Sequence, residues 1–297
     1  MYFISPWQTL NEEKNNMFIQ YRYGITILYL QKIKIKFGTC ITWHGISLLH
    51  TDKKTMHALL KKAKQNNIIG LHNVIPNYYN DLTLEEASYV KDGFSLDYKW
   101  GTYLLNLDNT LDELKSKMPN SLKRNIKKTE KREYIIKEIS DSEKTFKDFV
   151  NIFSESKIRE GLAVNKRVEE DLYGILNSES RKYFVLYIDD IPVACQGVCY
   201  NQVVAIEVVL AISNYALNEK IYAGDLLKWE IIKWCKEKGI KIYDFAGVSP
   251  KPLNKKEEGI KAFKAKWGGD YIEYGVYSKS LSIKYTVYKF LKSLMIK

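Results

Sequence analysis

Histidine is scarce and confined to the first quarter of the chain, at His44, His50, His57 and His72. The C-terminal half therefore has no imidazole of its own, which excludes a serine-type triad or a histidine-held metal there. Cysteine is equally sparse. Cys40, Cys195, Cys199 and Cys235 are scattered through a chain too long to need stapling. Cys195 and Cys199 are four apart on one strand face without a second ligand pair, so reduced thiols are expected. No apolar run reaches the roughly 18 residues that a membrane span needs. The opening MYFISPWQTLNEEKNN is too short in its apolar part and too acidic for a signal peptide. A cytoplasmic protein is expected. No stretch rich in Gly, Pro or Ser marks a linker.

What is present is apolar and basic. An apolar content of 45% over 297 residues can build a full core of one large or two ordinary domains. A net charge of +11 suits polyanionic partners such as nucleic acid, diphosphates or an anionic membrane. The over-use of Lys, Ile, Asn and Tyr fits compositional bias equally well.

The pattern along the chain repeats. Met17 to Tyr21 and Ile25 to Phe37 read as a hairpin, with Lys32, Lys34 and Lys36 alternating against Ile33, Ile35 and Phe37. Thr39 to Leu49 is a further strand. Thr51 and Asp52 open a helix with Met56, Leu59, Leu60 and Ala63 on one stripe, and Ile68 to Val74 is the next strand. The same order returns with Tyr183 to Ile188, a tight turn at Asp189-Asp190, Pro192 to Tyr200 and Val203 to Ile212. A helix from Tyr222 to Lys238 follows, with Leu226, Leu227, Ile231 and Trp234 inward and Lys228, Lys233 and Lys236 outward. Gly239 is placed to cap it, and Ile240 to Phe245 is the last strand of the unit. Between the two passes lie helices opening at Thr110-Leu-Asp-Glu113, from Asn120 to Arg132, from Glu143 to Arg159 and from Val168 to Leu176. The expectation is an α/β fold with mixed sheets, built from two copies of one module. Residues 1–109 form the first; residues 110–297 hold a helical connector, the second module and a C-terminal helix.

Several motifs converge on one resemblance. They are Phe3-Ile-Ser-Pro-Trp7, the basic run Leu122-Lys-Arg-Asn-Ile126-Lys-Lys, and Ser156-Lys-Ile-Arg159-Glu-Gly161 with Arg167 beyond it. Later come Gly224-Asp-Leu-Leu227-Lys-Trp229, Gly239 to Gly247 with Tyr243-Asp244-Phe245-Ala246, and Gly259-Ile-Lys-Ala-Phe263-Lys264-Ala-Lys-Trp-Gly268. Together they resemble the FemA/FemB/FemX family, tRNA-dependent aminoacyltransferases that build peptidoglycan interpeptide bridges. The resemblance covers nearly the whole chain and implies two tandem GNAT-like modules. Val74-Ile75-Pro76 lacks the carboxylate the family often carries there, Asp171 replaces a tyrosine, and there is no room for the helical arm of the larger members.

The candidate site follows from these motifs. Aminolysis of an ester or thioester passes through an oxyanion that a fixed cation stabilises, and Lys264 is the candidate cation. The resemblance implies that Phe263 and Lys264 meet the aminoacyl end of the donor. The competing reading is a solvated lysine on a helix with Lys261 and Lys266. Asp244, at a strand end, could orient or deprotonate the amine, or cap the following turn. Arg159 and Arg167 are candidates for an acceptor diphosphate, because a guanidinium fork matches phosphate oxygens; surface ion pairs with Glu155, Glu169 or Glu170 are the alternative. Lys123, Arg124 and Lys127, with Lys128, Lys131 and Arg132, suit a phosphate backbone or a merely solvated helix face.

Tyr215 and Tyr222 flank the start of the main second-module helix, where backbone N–H groups could receive a pyrophosphate. Acyl-CoA binders there carry Q/R-x-x-G-x-G/A; this chain has only Gly224, followed by Asp225, which favours a tRNA-type donor if Asp225 is not simply a cap. His44 and His72 read as core or edge residues. Ser280 to Lys297 forms a basic amphipathic helix that packs back on the modules or meets the inner membrane surface.

The leading expectation is an aminoacyltransferase that moves an amino acid from aminoacyl-tRNA to an amine of a diphosphate-containing cell-wall or glycan precursor, with no cofactor. The alternatives are an acyl-CoA-dependent N-acyltransferase acting on an amino sugar of a surface polysaccharide, and a non-catalytic nucleic-acid-binding module.

Overall fold

In the computed structural model, residues 18–23, 26–45, 53–162 and 180–295 are described. In chain order they form β1 (Phe18–Tyr23), β2 (Thr26–Ile35), β3 (Gly38–Thr42), α1 (Lys53–Gln65), β4 (Ile68–Val74), α2 (Leu82–Lys91) and β5 (Ser95–Asn106). Next come α3 (Leu111–Ser116), α4 (Asn120–Glu130), β6 (Tyr134–Glu138), α5 (Glu143–Arg159), β7 (Arg181–Ile188), β8 (Ile191–Tyr200) and β9 (Val204–Ile212). The chain closes with α6 (Asn214–Asn218), α7 (Ala223–Glu237), β10 (Ile242–Asp244), α8 (Lys255–Ala265), β11 (Asp270–Ser280) and α9 (Ile283–Met295). Two units result, Met1–Gly101 with Ile272–Lys297 and Thr102–Tyr271.

In the first unit β1, β2 and β3 run antiparallel, and α1 carries the chain across to β4, which lies parallel to β3. Lys32 and Lys34 are exposed while Ile33 and Ile35 turn inward, the period-two pattern of a half-wet strand. Met56, Leu59 and Ala63 of α1 are buried with Ile41, Leu71 and Val74. β11 then adds antiparallel to β4, pairing Tyr277 with Val74 and Ser280 with Gly70. The last helix packs on one face of β4. A Cβ on Gly70 would lie 2.5 Å from the Tyr285 ring, and the Tyr285 hydroxyl sits 2.8 Å from His72 Nδ1.

The expected division at residue 109 and the expected tail in the second module therefore differ from the structure. The boundary falls at Gly101, and the C-terminal segment belongs with the first unit because β11 and Tyr285 pack on β4. The pairing spans some two hundred residues of sequence, so no local pattern announces it.

The second unit repeats the order. β7, β8 and β9 form an antiparallel meander, α7 crosses over, and β10 returns parallel to β9. The β7–β8 turn has positive φ at both Asp189 and Asp190 (51° and 63°), as a two-residue hairpin turn requires. Alternate residues of β7 serve two cores. Tyr183, Val185 and Tyr187 meet Phe146, Phe149 and Ile152 of α5, whereas Phe184, Leu186 and Ile188 share a core with α4 and α7. Thr110 and Glu113 form the expected capping box, and Gly239, at φ +76°, ends α7. Two modules of one α/β plan are thus present, as the repeat indicated. All four cysteines are free and buried. The expected helix over Val168–Leu176 lies outside the described residues.

Candidate functional site

The cleft exists because two parallel strands stop pairing. β10 pairs β9 only from Ile242↔Val204 to Asp244↔Ile206, while β9 runs on to Ile212. A bulge at Val208, between the pairs Gly197↔Val209 and Val198↔Glu207, re-aims the side chains just past the last pair. At Ala246 the backbone turns away with φ +60°, a conformation costly for a residue with a Cβ. The space left open, about 460 Å³, is lined by Glu207–Leu210 of β9, Ala246, and Lys256, Gly259, Ile260, Phe263 and Lys264 of α8.

Asp244 builds that turn and is not exposed in the cleft. Its carboxylate is fully buried; Oδ1 accepts the Ala246 N–H at 2.8 Å, and Thr102 Oγ1 lies 2.5 Å away. Of the two roles open to Asp244, the geometry gives it the cap. The turn aims two carbonyls at one ammonium, and Lys264 Nζ donates to Ala246 O and to Gly247 O, each at 3.1 Å. An ammonium has three N–H donors, so among the described residues one is left for a ligand. Burial lowers the Lys264 pKa, against the pull of Glu207 and Asp244 towards the charged form. Lys264 is therefore no solvated surface lysine.

Two residues, Glu207 on the cleft wall and its buried partner Lys228, were not among the sequence candidates. Lys228, expected on the outer face of α7, is completely buried and pairs with Glu207 Oε2. Its Nζ lies 5.1 Å from the Phe263 ring centre and 5.4 Å from that of Phe245. Burial lowers the Lys228 pKa, and Glu207 pulls it back. The outward expectation fails because the first turns of α7 are enclosed on every side, with Leu226 through Trp229 all buried. Glu207 Oε2 also takes the Tyr243 hydroxyl at 3.2 Å and Gln196 Nε2 at 3.3 Å. Among the described residues, no hydrogen bond reaches Glu207 Oε1. The sequence signal was there, since Glu207 is the lone charge in the strand VAIEVVLAI.

Phe263 stands beside this group, with Lys266 Nζ 4.1 Å from its ring centre. Lys266 also pairs with Asp225 Oδ1 at 2.7 Å, and Asn125 Nδ2 donates to Asp225 Oδ2 at 3.0 Å. The Asp225 carboxylate, which would otherwise repel a pyrophosphate at the α7 N-terminus, is thus neutralised. Tyr222 is the N-cap residue of α7, half-exposed, with Lys128 Nζ 5.6 Å from its ring centre. Tyr215, on α6, is exposed to a similar degree beside Arg132.

The basic helix matches its expected pattern. Leu122 and Ile126 of α4 are buried, Arg124 and Lys127 are exposed, and Lys123 is partly so. Arg159 is already engaged, donating to Asn214 Oδ1 and Ile212 O at 2.5 Å each. It ties α5 to the end of β9 and makes no ion pair with Glu155; Glu169 and Glu170 lie outside the described residues. Arg167 lies outside the described residues. No group of three or more His, Cys, Asp or Glu able to hold a metal ion occurs among the described residues, and no described helix is long and apolar enough to cross a membrane.

Two copies of one α/β module, one of them opening into a lysine-lined cleft, define the class of fold. The acetyltransferase (GNAT) domain family matches residues 116–264, half of the chain and all of it within the unit that holds the cleft. The chain belongs to this GNAT acetyltransferase family and is an acyltransferase. Among solved structures it is similar to FemX, with a TM-score of 0.71 at 13% identity over 96% of this chain and 93% of that one. The C-terminal domain of a protein described as a lysylphosphatidylglycerol synthetase, from Agrobacterium fabrum, aligns with a TM-score of 0.60 at 11% identity, covering 89% of this chain and 84% of that one. A tandem GNAT protein of the clavulanic acid biosynthesis pathway aligns at 0.52 and 13% identity, covering 88% and 81%. These likenesses show the tandem GNAT fold that the motifs implied. No curated protein matches the sequence.

Proposed function

We propose that the chain transfers an aminoacyl group from aminoacyl-tRNA to an amine of a cell-wall or related surface precursor. The observation that carries this reading is the ammonium of Lys264, fixed by Ala246 O and Gly247 O at the wall of the cleft with one N–H unspent among the described residues. As the amine attacks the ester carbonyl, the developing oxyanion takes that N–H. Glu207, on the same cleft, accepts the amine's proton, and that proton passes to the departing ribose oxygen as the ester C–O bond breaks. Lys228 beneath Glu207 keeps that carboxylate in place. Phe263 offers an apolar wall to the acyl group.

Support for an aminoacyl donor comes from the likeness to FemX over almost the whole of both chains, and from the similar protein named for lysylphosphatidylglycerol, an aminoacylated product. The exposed cations of α4 suit the phosphates of the tRNA or of the acceptor. Family membership sets aside the non-catalytic reading. One observation favours a second enzyme reading. With Asp225 neutralised by Lys266 and Asn125, the N-terminus of α7 no longer repels a pyrophosphate, so an acyl-CoA donor and an amino-sugar acceptor stay in view.

The test is transfer to a nucleotide-linked amine from charged tRNA and, separately, from acetyl-CoA. Transfer from charged tRNA alone is expected, with Lys264→Ala lowering kcat by about 10²–10³-fold. Consumption of acetyl-CoA alone would replace the first reading with the second. Undiminished transfer by Lys264→Ala would remove Lys264 from either mechanism.

A further inference from the structure

Helix α8 forms one wall of the cleft, yet none of its residues is fully buried. Lys256, Gly259, Ile260, Phe263 and Lys264 recur at three- and four-residue spacing, so a single face of the helix looks onto the open space. Gly259 is the fifth of the eleven residues of α8. Glycine is the poorest helix former after proline, so a glycine in mid-helix needs a reason. Two reasons internal to the fold are absent. Gly259 does not have the positive φ that Gly239 has. A Cβ built on it would meet no packing partner within 4 Å, whereas one on Gly70 would strike Tyr285. The space that the missing side chain leaves free is cleft.

The two ends of α8 meet different partners. Just past its C-terminal end, Lys266 holds Asp225 at the start of α7, and Asn125 of the basic helix α4 holds the same carboxylate. The phosphates of either donor belong at that end, where the cations of α4 and the N–H groups of the α7 N-terminus are gathered. At the other end Lys256 Nζ meets Glu160, which follows α5, at 3.4 Å. Gly259 lies one helical turn, about 6 Å, from Phe263 on the way to that second end. The amine acceptor therefore passes Gly259 to reach the carbonyl at Lys264.

We infer that Gly259 sets the acceptor specificity of the cleft. It admits a bulky amine, one whose body is as wide as a sugar ring, and that body lies flat on α8 between Phe263 and Lys256. The inference rests on the reading of the cleft as an acyl-transfer site and holds for either donor.

The experiment compares the full chain with Gly259→Ala and Gly259→Leu in transfer to two acceptors, the nucleotide-linked amine and methylamine, from whichever donor the parent consumes. The ratio of kcat/KM for the bulky acceptor to that for methylamine should fall several-fold in Gly259→Ala and roughly tenfold or more in Gly259→Leu. The Tm of Gly259→Ala should meanwhile rise by about 1–3 °C, since alanine favours the helix and meets no neighbour there. An unchanged ratio overturns the inference. So does a lowered Tm in Gly259→Ala, which would give the glycine a role in the fold. A variant that instead changes the preference among acyl groups of different size puts Gly259 on the donor side and overturns it as well. If the parent transfers to neither acceptor from charged tRNA or acetyl-CoA, the reading of the cleft itself fails and takes this inference with it.

Discussion

Replacing Lys228 by Met tests the inner wall of the cleft. Methionine nearly matches the aliphatic stem, so little cavity is made, but the ammonium that faces Glu207 Oε2 is gone. Among the described residues, the hydrogen bonds left to Glu207 come from the Tyr243 hydroxyl at 3.2 Å and Gln196 Nε2 at 3.3 Å, neither of them charged. Removing one member of a buried pair strands the other charge and costs about 3–5 kcal/mol. For a unit of this size that is a fall of roughly 6–20 °C in Tm. Adding Glu207→Gln should restore most of the loss, since a neutral replacement of both partners removes the stranded charge. The coupling between the two substitutions should therefore be about 2 kcal/mol or more. Urea unfolding near neutral pH, followed by tryptophan fluorescence, reads this directly, because Trp229 and Trp267 are buried in the same unit. The reasoning fails if Lys228→Met costs less than about 1 kcal/mol, or if the two losses simply add.

Two further predictions concern Lys264 and Gly70. Burial places the Lys264 pKa below the 10.5 of free lysine, so transfer that needs its ammonium should decline as pH rises through that lowered value. The stability sign is opposite: between the lowered value and 10.5 the unfolded chain binds more protons, so this lysine's penalty on folding is full below that window and vanishes across it. A pH–rate profile in which Lys264→Arg, charged throughout, keeps the same alkaline limb would show that another group sets it. In the first unit, Gly70→Ala would press a methyl to within 2.5–2.7 Å of three Tyr285 ring atoms. Overpacking of this kind costs about 1–3 kcal/mol, and hydrogen exchange should show α9 loosening first; unchanged protection of α9 would mean that the ring yields without cost.

Local chemistry made much of the fold legible. The lysine–isoleucine alternation of β2, the Asp189-Asp190 turn, the Thr110 capping box and Gly239 are each decided within a few residues, and each lies where the pattern placed it. Phe263 and Lys264 were legible through their motif, and the structure puts both on the cleft. What stayed hidden is settled at long range. β11 joins β4 across most of the chain, so the tail was assigned to the wrong unit. Lys228 looked like an outward lysine because amphipathic periodicity assumes one wet face, and the first turns of α7 have none. Its partner is a single carboxylate on a different strand, and a pair between a strand and a helix leaves no trace in the periodicity of either.

The repeat also explains why the cleft belongs to one unit. In the first unit the parallel strands go on pairing beyond Ile41↔Leu71, through the bridge His44↔Ile75, with Gly45 N–H donating to Ile75 O at 3.0 Å and Ile75 N–H to Trp43 O at 3.2 Å. Burial pushes the His44 pKa down to about 4, so an uncharged ring sits at this closed end, and Trp43 Nε1 donates to the Tyr89 hydroxyl at 2.9 Å. In the second unit, pairing stops at Ile206↔Asp244, and the next residue of β9 is Glu207. Unpaired strand ends are costly to bury, and alternate β9 residues beyond Ile206 forgo the ladder bonds that β10 could have given them. The turn held by Asp244 maintains that separation, because it points the Ala246 and Gly247 carbonyls at Lys264 and away from β9. The same plan is therefore zipped shut where its strand ends carry Trp43 and His44, and held open where they carry a carboxylate and a left-handed alanine.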